Sequence, residues 1–457
     1  PGTPSVNGYT DGLLYSNPNA LNSGNANGAV NPFRLDRSQA STADQDHDYT
    51  PEQQAFDNGL MDLFPKYTGT PGPPPNGQTT TGLVMGYYDG NTVTAYWNYA
   101  QRFAMSDNSF GTNFGPSTDG ALNLISGQLN GVGDQVNAGG DVIGDGHSGF
   151  TLISDADPVG DTCSTTTGAQ VSMTGQNIGD LLNAAGVTWG FFEGGFDLGV
   201  KNPNGTTGCA RSTTSTVTMS AKADYIPHHQ PFQYYASTQN LHHVRPTSPS
   251  TVGTAGDPAN HQYDTHDFFD AVNAGNYPAV SFLKAPGYQD GHAGYSDPLD
   301  EQVFVTTVIN FLMQQKDWAS TAVVISYDDS DGWYDHQMGP IVNQSATSAD
   351  ALTGPGLCGS GTNALAGVTA EHVQGRCGYG PRLPMLVISP YSKQNFVDHN
   401  VTDQTSILRF IEDNWVGGQR ITGSFDALAG RLNTFFDFKN PDTTQYILDS
   451  STGLVVK

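Results

Sequence analysis

The chain has 457 residues, 36% of them hydrophobic, which is enough for one large α/β domain or two ordinary ones with a sizeable core. Only 14% of the residues are charged, yet the formal net charge is −26 at pH 7, and so acidic a surface argues against nucleic acid or an anionic bilayer as a partner. No apolar run approaches the ~18 residues of a membrane span, so stable membrane insertion is not expected. The acidic surface does not exclude a small phosphorylated substrate if the binding site itself is positively charged.

Hydrophobic periodicity divides the chain into helices and strands. After a polar stretch over 1–50, helices are predicted from Thr50, over 92–103, after Pro116, and over 178–185, 303–318 and 405–415. Continuous apolar runs predict strands over 187–192, 279–283, 322–327 and 383–389. This alternation favours an α/β fold with a mostly parallel central sheet, helices on both faces and long loop excursions. No linker is visible, so residues 1–457 are predicted to form a single domain.

The four cysteines form two local pairs in loop-type sequence, Cys163 with Cys209 and Cys358 with Cys377, and neither pair has the CxxC spacing of a metal site. Three connectivities are possible, and we expect the local one; the alternative is four free buried thiols. On the loop-entropy model, a bridge from Cys358 to Cys377 contributes about 3 kcal/mol. Disulfides indicate an oxidising compartment, so the protein is expected to be secreted or periplasmic.

Asp328 and Asp329 directly follow the apolar strand that ends at Tyr327. Two adjacent carboxylates at the end of a buried strand are costly unless a positive group meets them. A divalent cation is the usual solution, because oxygen ligands suit Mg²⁺, Ca²⁺ or Mn²⁺. The alternative is a pair of loop carboxylates that cap backbone donors.

Ser117 follows Gly115 and Pro116 and precedes a predicted helix, with Asn108 a few residues upstream. A serine at a helix N-terminus faces free backbone N–H groups and the positive end of the helix dipole, which bind phosphate and stabilise an ionised serine oxygen. The ordinary alternative is a helix-capping serine, which is common.

His47, His228, His229 and His292 lie in Gly- or Pro-containing loops or between aspartates. Such histidines suit phosphate binding, metal ligation or proton transfer. A single loop histidine is more often a surface or structural residue. The doublet of His242 and His243 shows that a histidine pair alone does not indicate function.

The order of these segments and their local amino-acid sequences resemble those of one bacterial enzyme family. The stretches 106–110, 114–117 and 122–127 read Ser-Asp-Asn-Ser-Phe, Phe-Gly-Pro-Ser and Leu-Asn-Leu-Ile-Ser-Gly. Further matching stretches are Asp-His at 46–47, Gly-Leu-Met-Asp at 59–62, Tyr-Asp-Asp at 327–329, Gly-Trp-Tyr-Asp-His at 332–336, Ile-Ser-Pro-Tyr at 388–391, Val-Asp-His at 397–399 and Ser-Ile-Leu-Arg-Phe-Ile-Glu at 406–412. Together they span about 44–436 and are similar to the bacterial phosphoesterases, the family of phosphatidylcholine-type phospholipases C and an acid phosphatase.

This resemblance implies an alkaline-phosphatase-like α/β fold and hydrolysis of phosphate esters in two steps. Ser117 would be the nucleophile and would help Asp328 and Asp329 to hold one divalent metal ion (Ca, Mg, Mn or Zn). Asn108 would contact the phosphate. The remaining phosphate oxygens would be held by His47, His228, His229 and His292.

The sequence departs from the family pattern in two places. The acidic pair is Asp-Asp, where Asp-Glu is commoner, and no Glu-Asn pair occurs, although the family carries one on a first strand. The chain begins with Pro1 and shows no signal peptide, which suggests a processed or truncated N-terminus. A separate or absent N-terminal segment is therefore expected to supply that strand, leaving a gap beside the strand that ends at Tyr327.

The family contains both monoesterases and phospholipases C. Its phospholipases have additional C-terminal β-domains, and this sequence ends soon after Phe438, so an acid phosphatase is favoured and phospholipase C is the alternative. Phosphate-binding histidines that must be protonated would favour acidic pH. A further alternative is a non-enzymatic secreted binding protein on the same fold, against which the intact Ser117, Asp328 and Asp329 argue.

Overall fold

The computed structural model describes residues 4–72, 78–359 and 375–456. Its α-helices are α1 (Asp11–Tyr15), α2 (Pro18–Leu21), α3 (Tyr49–Phe56), α4 (Phe64–Tyr67), α5 (Thr94–Arg102), α6 (Ser117–Ser126), α7 (Ile178–Ala185), α8 (Thr265–Asn273), α9 (Pro298–Met313) and α10 (Gln404–Trp415). Short 3₁₀ helices cover Ser23–Gly28, Arg37–Gln39, Asp57–Gly59, Thr81–Met85, Gly208–Ala210, Pro227–His229, Pro231–Tyr234, Gly287–Gln289, Lys316–Ser320, Phe425–Ala427 and Leu432–Phe435.

The strands are short and occur along the whole described chain. They are β1 (Phe33–Leu35), β2 (Gly86–Tyr88), β3 (Ala104–Ser106), β4 (Ser109–Phe110), β5 (Val132–Val136), β6 (Val142–Gly144), β7 (Phe150–Leu152), β8 (Asp157–Pro158), β9 (Gln170–Met173), β10 (Trp189–Glu193), β11 (Ser212–Thr214), β12 (Ala221–Ala223), β13 (Gln262–Asp264), β14 (Val280–Lys284), β15 (Val323–Ile325), β16 (Met385–Ile388), β17 (Phe396–Asp398) and β18 (Thr402–Asp403). Each helix and strand predicted from the sequence has a counterpart, but α9 begins and ends five residues before the predicted 303–318.

Capping residues fix the ends of the predicted helices. Asn177 and Asp180 form a capping box at the start of α7, and Gly186 ends it in the left-handed conformation. At the start of α9, Asp297 accepts hydrogen bonds from two backbone N–H groups and Pro298 is the first helical residue. The signals at α7 coincide with the predicted bounds, whereas the prediction for α9 began at 303 and missed the cap at Asp297.

Helices cover both faces of the strand layer, as predicted. In β10, Phe191 packs on one side with residues of α6, α7 and α10, and Phe192 packs on the other with residues of α8 and α9. In β14, Phe282 and Leu283 divide between the same two clusters. Because adjacent strand residues point to opposite faces, a strand buried on both sides needs a continuous apolar run.

The predicted mostly parallel central sheet is seen only in part, because its strands form two separate sheets and one strand is reversed. A parallel three-stranded sheet has the order β13-β10-β14, and a separate four-stranded sheet has the order β15-β16-β3-β17. In the second sheet β16 runs antiparallel to both of its neighbours, with Val324 opposite Val387 and Leu386 opposite Met105. An apolar run indicates burial but not direction, so the sequence could not reveal the reversed strand.

The two sheets are adjacent but do not join. A cavity of about 850 Å³ lies between β14 and β15 and is lined by both strands and by α6, α9 and α10. In the described part of the chain no strand pairs with the facing edge of β14 or of β15. The cavity lies beside Tyr327, where the sequence leads us to expect an open edge.

Both expected disulfides are present, between Cys163 and Cys209 and between Cys358 and Cys377. The second bridge lies in a buried cluster with Tyr49 and Phe114. No helix within the three described ranges is long and apolar enough to cross a membrane.

Candidate functional site

The two residues before Ser117 set the start of α6. Gly115 has a φ of +122°, and the extended Pro116 occupies the N-cap position without a side-chain cap. Ser117 is therefore the first helical residue, and the interpretation of this serine as an ordinary capping residue is wrong. Its side chain is buried, and its Oγ donates a hydrogen bond of 2.7 Å to Asp329 Oδ2.

The backbone N–H groups at this helix start are only partly free. Thr118 donates from both its N–H and its hydroxyl to Asp155 Oδ1, at 2.9 and 2.7 Å. The N–H of Asp119 donates to the carbonyl of Pro116 at 3.0 Å. The expectation of unoccupied N–H groups is therefore wrong for these two residues, because a carboxylate and a carbonyl already accept from them.

A close backbone contact holds α6 against the acidic pair. A Cβ atom added to Gly120 would lie 1.8 Å from the carbonyl oxygen of Asp328. No side chain fits in that space, so glycine allows the first turn of the helix to contact the end of the strand. Sequence reasoning missed Gly120, because a glycine within a helix ordinarily only weakens it.

The two acidic residues have different partners. Asp329 contacts Ser117, and its pKa is raised to about 6 by burial and by the neighbouring Asp328, which outweigh the His47 imidazole. Asp328 Oδ2 pairs with Lys284 Nζ at 2.7 Å. Burial opposes ionisation of Asp328, but the Lys284 ammonium outweighs it and lowers the pKa of this carboxyl. That one cation bridges the two aspartates remains a prediction.

His47 and His292 lie together with two aspartates outside the predicted set, Asp44 and Asp331. The ligand atoms of these four side chains are all within 4.8 Å of one another, so the group could hold a metal ion. Burial disfavours protonation of His47, but the Asp329 and Asp331 carboxylates outweigh it, and its pKa is well above the usual value. His292 behaves in the same way, with Asp331 and Asp44 raising its pKa against burial.

His228 and His229 reach the same region from another loop. His229 is fully buried, its Nδ1 lies 3.8 Å from Asp290 Oδ2, and burial lowers its pKa well below the usual value. Asp290 also accepts from the backbone N–H of His292 at 3.1 Å. His228 is half-buried and lies 3.3 Å from Asp157 Oδ1. Burial therefore favours the neutral form of His229.

Asn108 lies at the carboxyl end of β3, with its side chain committed to neighbouring loops. Its Nδ2 donates to the carbonyl of His399 at 2.9 Å, and its Oδ1 accepts from Gln337 Nε2 at 3.1 Å. Its proposed contact with a phosphate remains a prediction.

Other buried charged groups belong to this site and were missed from the sequence. Glu52 of α3 accepts from the N–H of Gly115 at 3.0 Å and from Ser330 Oγ at 2.5 Å, and burial raises its pKa to about 8. Both carboxylate oxygens of Asp119 are buried without a hydrogen-bond partner, and burial raises its pKa well above the usual value. Of Glu52, Asp119 and Lys284, only Lys284 could have been found from the sequence, because it is a charged residue at the carboxyl end of an apolar strand.

The excess of carboxylates fits a bound cation. Lys284 already pairs with Asp328, whereas Asp119 has no hydrogen-bond partner. Asp329 accepts hydrogen bonds from the Ser117 hydroxyl and from the backbone N–H of Asp331. Buried oxygen ligands of this kind suit a hard divalent ion, and the histidines additionally permit zinc. A second group of possible ligands, Asp161, Cys163 and His243, is unsuitable because Cys163 is in a disulfide.

Comparison with known proteins matches most of the chain to one protein family. The sequence model of the Phosphoesterase family matches residues 3–416. The chain is 32% identical over 188 residues to the non-hemolytic phospholipase C of Burkholderia pseudomallei (strain K96243), a match that covers 40% of this chain and 26% of that protein. It is 30% identical over 176 residues to phospholipase C A of Mycobacterium tuberculosis (strain CDC 1551 / Oshkosh), covering 38% of this chain and 32% of that one.

The matched part thus spans about a quarter to a third of the length of these relatives. Among solved structures, Ps i-CgsB in complex with k-i-k-neocarrahexaose covers 78% of this chain and 73% of that chain, at 11% identity and a TM-score of 0.32. A similarity this weak carries no argument about the fold. The match to the family model covers far more than half of the sequence, and the chain belongs to the Phosphoesterase family.

Proposed function

We propose that the protein hydrolyses phosphate esters through a phosphoserine intermediate on Ser117, with one divalent metal ion, on an alkaline-phosphatase-like α/β fold. The observation that carries the proposal is the hydrogen bond of 2.7 Å from Ser117 Oγ to Asp329 at the start of α6. A nucleophilic serine needs a neighbouring group that accepts its proton, and Asp329 is in position to do so. Family membership supports phosphoester chemistry.

In the first step Ser117 Oγ would attack phosphorus and its proton would pass to Asp329. The bond from phosphorus to the leaving oxygen would break, and the leaving alkoxide would take a proton from water. In the second step water would hydrolyse the phosphoserine. A bound divalent cation would lower the pKa of a coordinated hydroxyl and neutralise charge on the phosphoryl oxygens. Ser117, Asp328 and Asp329 would hold it, while Asn108, His47, His228, His229 and His292 would orient the phosphate.

The raised pKa of His47 affects the expected working pH. A histidine that stays protonated near neutral pH can bind a phosphate anion without acid. Phosphate binding by His47 therefore does not require an acidic pH. His229, whose pKa is lowered, would contribute positive charge only under acid conditions.

Two substrate classes are candidates. The relatives are named phospholipase C, which favours a phosphodiester of the phospholipid type. An acid phosphatase that acts on monoesters is the other candidate. The two disulfides support a secreted or periplasmic location for either enzyme.

One experiment tests the reaction, the metal and the substrate class. The protein is assayed on p-nitrophenyl phosphate and on p-nitrophenylphosphorylcholine, before and after treatment with a chelator. We expect hydrolysis that is lost on chelation and restored by one of Ca²⁺, Mg²⁺, Mn²⁺ or Zn²⁺, and the faster substrate identifies the class. Activity that survives complete metal removal would refute the metal role. If neither compound is hydrolysed under any condition, the non-enzymatic alternative is favoured.

A further inference from the structure

One disulfide lies against a histidine and an aspartate that the proposed reaction does not use. Ligand atoms of Asp161, Cys163 and His243 all lie within 4.8 Å of one another. Cys163 is bonded to Cys209, so a fourth side chain able to bind a metal adjoins this group. In the oxidised protein the two sulfur atoms are bonded to each other and cannot act as thiolate ligands. The group can therefore form a complete metal site only when this disulfide is open.

His243 has the orientation of a metal-binding histidine. Its side chain is buried, and its Nδ1 lies 2.9 Å from the carbonyl oxygen of Phe196. A carbonyl can only accept, so Nδ1 carries a proton and donates it. Nε2 lies 3.2 Å from both carboxylate oxygens of Asp161, an arrangement that needs a cation between them, either a proton or a metal ion. Histidines that bind zinc commonly donate their second nitrogen to a backbone carbonyl in this way.

Asp161 is held in place by hydrogen bonds from its other side. Its Oδ1 accepts from the backbone N–H of Cys163 at 2.7 Å. Its Oδ2 accepts from the Tyr225 hydroxyl at 2.8 Å and from Gln233 Nε2 at 2.7 Å. These neutral donors fix the carboxylate beside Cys163 and leave its charge in place. Carboxylates that bind metal ions are typically fixed by such surrounding hydrogen bonds.

The two disulfides differ in their exposure to solvent. Cys209 is exposed and Cys163 is half-buried, whereas Cys358 and Cys377 are both fully buried. A thiol reductant must reach a sulfur atom in order to attack it, so the bridge at Cys209 opens first while the protein is folded. In this exchange two molecules of a small thiol are oxidised to one disulfide, and Cys163 and Cys209 become free thiols.

We propose that opening of this disulfide creates a zinc site whose four ligands are Asp161, Cys163, Cys209 and His243. Two thiolates, one imidazole and one carboxylate suit tetrahedral Zn²⁺. Two sulfur ligands of one zinc ion are about 3.8 Å apart, a separation that the exposed Cys209 reaches by a small shift of its loop. On binding, the two thiol protons and the proton between His243 and Asp161 pass to solvent. The ion then connects the loops that the disulfide connected before reduction.

Cobalt(II) tests this site because thiolate ligands give it an intense charge-transfer absorption in the near ultraviolet, which oxygen and nitrogen ligands do not. The full chain is reduced with a small thiol, separated from it without oxygen, and titrated with Co²⁺. We expect the absorption to appear with one Co²⁺ per chain and to be lost when Zn²⁺ is added. The oxidised protein should not show it. The proposed active site contains no thiolate, so this signal is independent of the phosphoesterase proposal.

A pair of histidine variants tests the ligand set. His243→Asn removes the imidazole, and asparagine tolerates the left-handed backbone at this position, where φ is +51°. It should weaken Co²⁺ binding by at least about 10-fold. His242→Asn changes the exposed neighbouring residue and should leave the binding unchanged. Equal Co²⁺ affinity of both variants and the unaltered protein would overturn the proposal. So would a reduced protein without the thiolate absorption, or a folded protein from which the reductant releases no thiol.

The unaltered protein provides a second measurement, in case His243→Asn fails to fold. After reduction, Zn²⁺ should protect Cys163 and Cys209 from alkylation by iodoacetamide, which mass spectrometry of their peptides detects. Mg²⁺ at the same concentration should give no protection, because it binds thiolates poorly. Alkylation at the same rate with and without Zn²⁺ would overturn the proposal.

Discussion

At the scale of single residues, the site depends on how buried charges are paired. The sequence located Ser117, Asp328 and Asp329, and the structure shows that the two aspartates have different partners, the Ser117 hydroxyl for Asp329 and Lys284 for Asp328. Adjacent residues at the end of a strand point in different directions, so the same local sequence places one carboxylate beside Ser117 and the other in an ion pair with Lys284.

Replacing the proposed nucleophile should separate chemistry from folding. Ser117→Ala removes the attacking oxygen and one hydrogen bond, so kcat should fall by at least about 1,000-fold. Thermal unfolding should be little changed. Ser126→Ala in the same helix is the matched control, because Ser126 Oγ donates to backbone carbonyls and does not contact the acidic pair. A folded Ser117→Ala variant with near-normal kcat would contradict the nucleophile assignment.

Glu52 should make stability depend on pH when no cation is bound. Its pKa of about 8 exceeds the ordinary 4.5, so the folded protein holds a proton that the unfolded chain releases between these values. Stability should therefore fall as pH rises from about 5 to 8, by at most on the order of 4 kcal/mol. Denaturant unfolding in the presence of chelator measures this, and Glu52→Gln should flatten the slope. An equal slope in the variant would show that another group is responsible.

Glu52 and Asp119 also show why part of the site could not be predicted. Glu52 is one of several polar residues in the first turn of a helix, where acidic side chains are common for electrostatic reasons. Asp119 lies in the first turn of α6, where an acidic residue is equally common. Burial is what distinguishes both residues, and Asp119 in addition has no hydrogen-bond partner. Burial of this kind depends on contacts between residues that are far apart in the sequence.

At the scale of elements, the sequence predicted the positions of helices and strands better than the directions in which the strands run. Capping residues and apolar runs located α7, α10, β10 and β14 to within a few residues. The reversed direction of β16 and the separation of the two sheets depend on long-range pairing, which an apolar run does not specify. The contact that brings α6 to the end of the strand depends on a single missing Cβ atom, at Gly120.

Gly120→Ala should therefore damage the site through packing alone. The added methyl group would overlap the Asp328 carbonyl, so α6 and the strand end must move apart. We expect a loss of about 1–3 kcal/mol in the free energy of unfolding, although alanine is the better helix former. Activity should fall as well, because Ser117 moves with the helix. Gly140→Ala is the control, since no atom lies within 4 Å of the position of its added Cβ. Equal stability of both variants would contradict the close approach.

At the scale of the whole molecule, the net charge of −26 is partly concentrated at one place. Segments that are far apart in the sequence bring five acidic residues into one region, namely Asp44, Glu52, Asp119, Asp329 and Asp331. Composition alone reveals the excess of acid but not its location. Mutual repulsion among buried carboxylates opposes folding, and burial with few cationic partners increases the cost.

A divalent cation should therefore stabilise the folded protein specifically. At a concentration about 100 times its Kd, a ligand that binds only the folded state adds about 2.7 kcal/mol, which calorimetry would detect as a higher Tm. Screening of the general negative charge by salt also raises Tm, so sodium chloride at matched ionic strength is the necessary reference. Asp329→Asn should reduce the cation-specific increase, whereas Asp134→Asn makes the same charge change at an exposed position and should leave it intact. If both variants show the same increase in Tm as the unaltered protein, the cation binds elsewhere. If sodium chloride reproduces the whole increase in Tm, the stabilisation is due to screening alone.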